Sequence, residues 1–217
     1  LKKTCGGPGS LISGVPGVKP AKVIILGGGM VGKSAAQMAI GVGADVTIFD
    51  KSIERLRYLN DIFGNSAKVL YSEPLELKNQ LVDADLVVGA VLIPGASAPK
   101  LIEKSFLSKM KKNSVLVDVA IDQGGCFETS KPTTHQNPIY YEEDVLHYCV
   151  ANMPGSVPKT ASYALNNVTA NYISKIAAFG LEALEQDQDL AMGLNVLKVQ
   201  ITHAAVKEAL QKSVGFN

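Results

Sequence analysis

The sequence is poor in charged residues and has no long apolar run. Charged side chains make up 19% of the 217 residues, and the net charge is +1, so nothing indicates a nucleic-acid or acidic-membrane partner. No apolar run approaches the roughly 18 residues of a membrane-spanning helix, and no charged-then-apolar leader opens the chain. Cys5, Cys126 and Cys149 are odd in number and have no CxxC spacing. They predict reduced thiols in a cytoplasmic protein rather than a disulfide framework or a metal site.

Apolar residues are abundant by contrast, at 47% of the chain. Because charged residues fall below the usual level of about a quarter, we expect more apolar surface than the chain can bury alone, and hence a missing partner surface. The first residue is Leu rather than Met. We therefore expect the chain to be part of a longer protein.

Short apolar runs alternate with helical segments after a glycine- and proline-rich linker at residues 1–20. Strands are predicted at 22–26, 45–49, 67–71, 86–91, 115–120 and 145–150, and helices at 30–40, 53–63, 73–82 and near 101–110. Strands that are apolar on both faces and alternate with helices favour an α/β fold. The prediction is a doubly wound Rossmann sheet of parallel strands with helices on both faces.

The pattern changes after Pro158, where apolar side chains recur at steps of three and four residues, the spacing of an amphipathic helix. They are Leu165, Val168, Tyr172, Ile176, Phe179 and Ala183. A further helix is predicted at 204–211, with only a weak strand signal at 196–201. We expect a Rossmann domain with its linker at 1–155 and a helical C-terminal segment at 156–217.

A glycine-rich loop joins the first predicted strand to the first helix. It reads Gly27-x-Gly29-x-x-Gly32. In this pattern the first glycine permits a tight turn, the second lets the backbone approach a pyrophosphate, and the third lets the helix pack closely on the strand. The helix N-terminus offers N–H groups and partial positive charge to phosphates. The loop's Gly-x-Gly-x-x-Gly spacing between a predicted strand and a predicted helix predicts a dinucleotide site rather than a P-loop.

Asp50 closes the second predicted strand, 18 residues beyond Gly32. A carboxylate there can accept hydrogen bonds from both ribose hydroxyls of the adenosine. It also repels a 2′-phosphate, because desolvated like charges cost several kcal/mol. NAD is therefore favoured over NADP, although Lys51 and Arg55 weaken that preference, since either could neutralise a phosphate.

The fifth predicted strand runs into "DVAIDQGG" at residues 118–125. Asp122, followed by Gly124 and Gly125, fits a simple turn. It also fits an active site, because ligands of open α/β sheets bind beyond the carboxyl ends of the strands. Asp118, inside the strand, is expected to be structural.

Several long stretches resemble the alanine dehydrogenase family, which shares ancestry with the NAD-binding component of nicotinamide nucleotide transhydrogenases. They are "GVPGVKPAKVIILGGGMVG", "GADVTIFDKSIERLRYL", "VDADLVVGAVLIPGASAPKL", "LVDVAIDQGGCFETSKPTTH", "VLHYCVANMPGSVPKTASYALNN" and "GLNVLKVQITHAAV". The resemblance implies reversible NAD-dependent oxidative deamination of L-alanine to pyruvate and ammonia, by a homo-oligomer that is usually a hexamer. The transhydrogenase branch is less similar.

The resemblance also implies site residues. Asp122 matches the family's active-site aspartate, at the nicotinamide end of the cleft. The implied cofactor contacts are Gly27, Gly29, Met30, Val31, Gly32, Asp50, Arg55, Ser72, Val91, Leu92, Val119, Asp122, Asn152 and Met153. In the family, the catalytic histidine and the Arg and Lys that hold the substrate lie in an N-terminal domain that precedes the linker.

We expect that N-terminal domain to be missing from these 217 residues. His135, His147 and His203 do not match the family's catalytic histidine, and we interpret them as loop, core and helix-cap residues. The chain alone is therefore expected to bind NAD without turning over alanine. Two alternatives stay open: a transhydrogenase subunit, which passes hydride between two nucleotides, and a truncated NAD-binding remnant without activity.

Overall fold

The computed structural model describes residues 1–92 and 98–214. It divides the chain into two compact units, Leu1–Met153 and Pro154–Asn217. The division falls near the boundary expected at residue 155. No helix in the described part of the chain is long and apolar enough to cross a membrane.

The first unit is built on one mostly parallel sheet. Its strands are β1 (Lys22–Leu26), β2 (Asp45–Asp50), β3 (Lys68–Tyr71), β4 (Leu86–Gly89), β5 (Val115–Asp118), β6 (Ile139–Glu142) and β7 (Val145–Tyr148). Their order is β3-β2-β1-β4-β5-β7-β6, and every pairing except that of β6 with β7 is parallel. This is the order of a doubly wound sheet, which confirms the predicted fold class.

Helices cover both faces of this sheet. They are α1 (Met30–Gly41), α2 (Ile53–Phe63), α3 (Pro74–Val82) and the short α4 (Lys104–Leu107). Successive side chains of a strand point to opposite faces. Ile25 of β1 therefore packs with Ala36 of α1 and Leu59 of α2. Its neighbour Ile24 packs in the other core, with Leu81 of α3.

The structure differs in detail from the sequence prediction within this unit. The antiparallel β6 was not predicted, because its residues alternate between exposed and half-buried at the sheet edge and form no apolar run. β5 ends at Asp118 rather than at Ala120, because the Asp118 carboxylate accepts the Ala120 N–H at 3.1 Å and turns the chain out of the ladder. β4 ends at Gly89 rather than at Val91, whose carbonyl accepts instead from the Cys126 thiol at 3.5 Å.

The helix predicted near 101–110 is also shorter, since only Lys104–Leu107 is α-helical. It is followed by turns that bury Met110 at its end. The prediction of β7 to Val150 is likewise too long, because the strand ends at Tyr148.

The second unit is mainly helical. It contains α5 (Pro158–Phe179), α6 (Ala183–Gln186), α7 (Gln188–Met192), α8 (Ala204–Val214) and a hairpin of β8 (Val196–Leu197) with β9 (Gln200–Ile201). Most of the predicted apolar stripe is exposed on α5, with Leu165 at 64% and Val168 at 63%. Tyr172 is half-buried, and Ala183 lies beyond the end of α5, in α6. Among the side chains described in this unit, Ala183 alone is buried. The unit therefore has little core of its own.

Candidate functional site

A cavity of about 630 Å³ opens at the carboxyl ends of β1 to β4. Its lining residues are Leu26, Gly27, Gly29, Met30, Val31, Phe49, Asp50, Lys51, Ser72, Ala90, Val91, Leu92, Pro99 and Leu101. Eight of the fourteen predicted cofactor contacts are among them. β1 and β4 are neighbours in the sheet, and the strand order reverses its direction between them. The cavity lies at this switch point, where ligands of such sheets bind.

The three glycines of the loop have three different surroundings. Gly27 has a φ of +96°, and a Cβ there would lie 2.7 Å from the Ala90 carbonyl oxygen. A Cβ on Gly32 would lie 1.8 Å from the Gly27 carbonyl oxygen. A Cβ on Gly29 would meet no atom within 4 Å. The first and third glycines are thus required by the turn and the close packing of α1, whereas Gly29 leaves open space at the helix N-terminus.

Asp50 and Arg55 both hold the loop at Gly28, one at its N–H and the other at its carbonyl. The Asp50 carboxylate accepts hydrogen bonds from the Gly28 N–H at 2.7 Å and the Ser52 N–H at 2.8 Å. Arg55 Nε donates to the Gly28 carbonyl at 2.6 Å, and its guanidinium carbon lies 4.9 Å from the centre of the Tyr58 ring. Each Asp50 oxygen retains capacity for a second hydrogen bond. Arg55 acts on the loop and does not line the cavity.

Asp122 lies in a single turn of 3-10 helix after β5 and is exposed. It is outside the cavity wall, although β5 neighbours β4 in the sheet. The loop around it is fixed by buried Asp118, which accepts hydrogen bonds from the Cys126 N–H at 2.7 Å and from the Ser130 hydroxyl. Together with its bond to Ala120, these contacts give Asp118 the structural role expected of it. They hold the loop so that Asp122 protrudes beyond the sheet.

The remaining predicted contacts also lie outside the cavity wall. Val119 is half-buried, and its N–H donates to the Gly89 carbonyl at 2.9 Å. Asn152 is exposed with a φ of +53°, and its carbonyl lies 3.1 Å from His135 Nε2. Met153 is half-buried beside it. These residues follow β5 and β7, which are adjacent in the sheet, so they belong to the same edge as the cavity.

His147 is a core residue, as expected. Its Nδ1 lies 3.0 Å from the Val145 carbonyl and its Nε2 lies 2.8 Å from the Thr129 hydroxyl. A carbonyl can only accept, so Nδ1 carries the hydrogen and Nε2 accepts from Thr129. Burial lowers the pKa of His147, which keeps the ring neutral. His203 directly precedes α8, and its carbonyl accepts from the Lys207 N–H.

The cysteines are all unpaired, with Cys126 and Cys149 buried and Cys5 exposed. Burial raises the pKa of the Cys126 thiol to about 12, so this thiol is a packing residue rather than a nucleophile. The described residues contain no group of three or more His, Cys, Asp or Glu side chains placed to hold a metal ion.

Sequence reasoning missed Lys100. Its ammonium donates hydrogen bonds to the carbonyls of Gly124 and Gly125, in the loop that carries Asp122. These two glycines are 24 and 25 residues away from Lys100 in the sequence. No local pattern identifies such partners for a lysine in a loop.

Comparison with known proteins places this chain in a family. The family model described as "Alanine dehydrogenase/PNT, C-terminal domain" matches residues 1–204. Alanine dehydrogenase of Halomonas elongata is 53% identical over 210 residues, which are 96% of this chain and 57% of that protein. Alanine dehydrogenase 2 of Staphylococcus aureus is 49% identical, over 97% of this chain and 57% of that protein.

Solved structures agree with these relatives. An L-alanine dehydrogenase superposes with a TM-score of 0.92 and 52% identity, over 98% of this chain and 59% of that chain. A transhydrogenase from Sinorhizobium meliloti has a TM-score of 0.69 at 24% identity, which reflects a shared fold. The chain spans somewhat more than half the length of the curated relatives it matches, 57% in both cases. By its sequence, its sheet and its glycine-rich loop, the chain belongs to the alanine dehydrogenase/PNT family and contains that family's C-terminal domain.

Proposed function

We propose that the chain is the NAD-binding part of an NAD-dependent alanine dehydrogenase. The whole protein would catalyse the reversible oxidative deamination of L-alanine to pyruvate and ammonia. The observation that carries the proposal is the glycine-rich loop, open at Gly29 and adjacent to the Asp50 carboxylate, in the wall of one largely apolar cavity. The relatives named above support the choice of substrate.

The residues present fit a dinucleotide. The open space at Gly29 and the N-terminus of α1 suit a pyrophosphate. The free acceptor capacity of Asp50 suits the two hydroxyls of a ribose. Ser72, Val91 and Leu92 would contact the adenosine. The nicotinamide ring, when bound, supplies the acceptor for the substrate hydride.

At the nicotinamide end, the proposed contacts are Val119, Asp122, Asn152 and Met153. The exposed Asp122 carboxylate can accept hydrogen bonds without disturbing the fold, because the loop is already held by Asp118. We assign to Asp122 the catalytic role of orienting a histidine of the longer protein. A histidine suits the removal of protons from the amine and from the attacking water near neutral pH.

The chain alone would bind NAD without turnover, since the substrate-holding Arg and Lys and the catalytic histidine are expected in a preceding domain. The exposed apolar side chains of α5 would pack on that domain and on neighbouring subunits of a homo-oligomer, a hexamer in the family. The unpaired thiols support a cytoplasmic location.

Fluorescence titration of the chain with NADH and NADPH tests the cofactor part of this proposal. We expect saturable binding with NADH preferred. Equal or reversed preference would contradict the role of Asp50. The chain should also fail to oxidise NADH in the presence of pyruvate and ammonia, and turnover by the chain alone would contradict the need for a preceding domain.

The activity itself is tested in the longer protein that carries this chain. Oxidation of NADH that depends on pyruvate and ammonia supports an alanine dehydrogenase. Hydride transfer between two nucleotides without an amino acid would indicate a transhydrogenase instead. NADH binding without either activity would indicate a remnant.

A further inference from the structure

The loop that carries Asp122 is joined to the segment at residues 98–101. The Ala98 N–H donates to the Gln123 carbonyl at 3.2 Å, and the Leu101 N–H donates to the Cys126 carbonyl at 2.7 Å. The two segments are therefore connected at both ends by backbone hydrogen bonds.

Lys100 adds a charged connection between these ends. Its ammonium donates to both the Gly124 and the Gly125 carbonyls, the second at 2.9 Å. Both glycines have positive φ, +88° and +76°, and a Cβ on Gly124 would meet no atom within 4 Å. Gly124 is therefore exposed without side-chain neighbours, whereas Gly125 is buried beside Asp118 and Ser130. Hydrogen bonds from a cation are stronger than neutral ones, so Lys100 is a strong restraint on the Gly124 carbonyl. At the Gly125–Cys126 peptide it acts together with Asp118, which accepts the Cys126 N–H.

The same segment forms part of the cavity wall. Pro99 and Leu101, on either side of Lys100, line the cavity together with Val91. The Val91 carbonyl also accepts from the Cys126 thiol at 3.5 Å. Two parts of this wall, Val91 and the segment 98–101, are thus hydrogen-bonded to the loop that carries Asp122. A ligand in the cavity would therefore touch segments that are bonded to the loop.

Building on the proposed function, we propose that Lys100 is a positioning residue that couples filling of the adenosine end of the site to the order of the loop carrying Asp122. Lys100 needs no contact with substrate or cofactor for this role. Occupation of the cavity limits the movement of residues 98–101, and the ammonium transmits that restriction to residues 124–125. Such coupling is reciprocal, so an ordered loop would in turn favour nucleotide binding.

Hydrogen exchange measured by mass spectrometry on the 217-residue chain, with and without AMP, tests this coupling. AMP is the probe because it lacks the nicotinamide half of NAD, the half proposed to lie beside Asp122. The amides of residues 123–126 all donate within the loop or to Asp118, so their exchange reports local opening. We expect AMP to slow exchange at residues 27–32 and to slow it at 123–126 by about fivefold or more, the low end of ordinary coupling between sites.

Three variants identify the role of the ammonium. Lys100→Met should abolish the effect of AMP at 123–126 while protection at 27–32 persists. Lys100→Arg retains a cation and should restore the effect at least in part. Lys109→Met, at another exposed lysine of the same unit, is the matched control and should behave as the wild type.

The outcomes separate this inference from the function on which it rests. Protection at 27–32 with no change at 123–126 in the wild type would overturn the coupling and leave the nucleotide site intact. Retained coupling in Lys100→Met would overturn the role of Lys100. Absence of protection at both segments would overturn the nucleotide site and the coupling together.

Discussion

The glycine-rich loop offers a pair of substitutions that separates binding from folding. Gly29 precedes α1 with a φ of −63°, a backbone that alanine also adopts. An added Cβ there would meet no protein atom within 4 Å. We therefore expect Gly29→Ala to fold, with a loss of at most about 1 kcal/mol because alanine is a poorer N-cap than glycine.

The same methyl group would stand where the pyrophosphate is proposed to approach. Moving a phosphate away from a helix N-terminus loses about 0.3–1 kcal/mol of dipole interaction. Each lost hydrogen bond to a charged group adds about 1.5–3 kcal/mol. A total of about 3 kcal/mol corresponds to a Kd for NADH that is weaker by roughly a hundredfold.

Gly32→Ala is the contrasting substitution. Its Cβ would lie 1.8 Å from the Gly27 carbonyl oxygen, so α1 or the loop has to move. Alanine gains about 1 kcal/mol of helix propensity over glycine, but overpacking against rigid groups costs about 1–3 kcal/mol or more. We expect this variant to lose both unfolding free energy and NADH affinity.

NADH fluorescence titration and denaturant unfolding of both variants provide the assay. The reasoning requires Gly29→Ala to be folded but weak in binding, and Gly32→Ala to be weak in both. A folded Gly29→Ala chain with wild-type affinity would refute the placement of the pyrophosphate at Gly29. Wild-type unfolding free energy in Gly32→Ala would refute the packing argument.

Three further predictions concern single side chains. Asp50→Asn removes the charge that repels a 2′-phosphate, so the ratio of NADPH to NADH affinity should rise in the same titration, and an unchanged ratio would contradict the use of Asp50. In the longer protein, Asp122→Asn should reduce alanine turnover by orders of magnitude at an unchanged unfolding temperature, because Asp122 is exposed; wild-type turnover would make its loop a simple turn. Burial lowers the pKa of His147 from 6.5, so the unfolded state binds this proton first as the pH falls. His147 therefore has no effect on the unfolding free energy well above pH 6.5. As the pH falls from 6.5 to the lowered pKa, protonation of the unfolded state increasingly destabilises the fold. Denaturant unfolding between about pH 7.5 and 5 should give a smaller slope for His147→Gln than for the wild type, and equal slopes would contradict the assignment.

The sequence was most informative where local chemistry decides the structure. The alternation of apolar runs with helices predicted the six parallel strands of a doubly wound sheet. The spacing of Gly27, Gly29 and Gly32 predicted the loop between β1 and α1, where Gly27 and Gly32 meet local steric needs and Gly29 leaves open space. Asp118 could be assigned a structural role because it interrupts an apolar strand, and its buried hydrogen bonds agree.

Features that depend on distant parts of the chain could not be predicted. β6 is an edge strand stabilised by pairing with β7, so its own residues carry little apolar pattern. Arg55 was considered as a partner for a phosphate, whereas its Nε donates to Gly28, 27 residues away. Lys100 likewise reaches carbonyls that only the folded chain brings near. The cofactor contacts implied by the resemblance stay predictions.

A crystal structure of the chain with bound NADH tests the central claim most directly. The account predicts the pyrophosphate at Gly29 and the N-terminus of α1, the ribose hydroxyls of the adenosine at Asp50, and the nicotinamide ring beside Asp122. A dinucleotide bound elsewhere, or one whose nicotinamide ring lies away from Asp122 while its pyrophosphate occupies the loop, would contradict it.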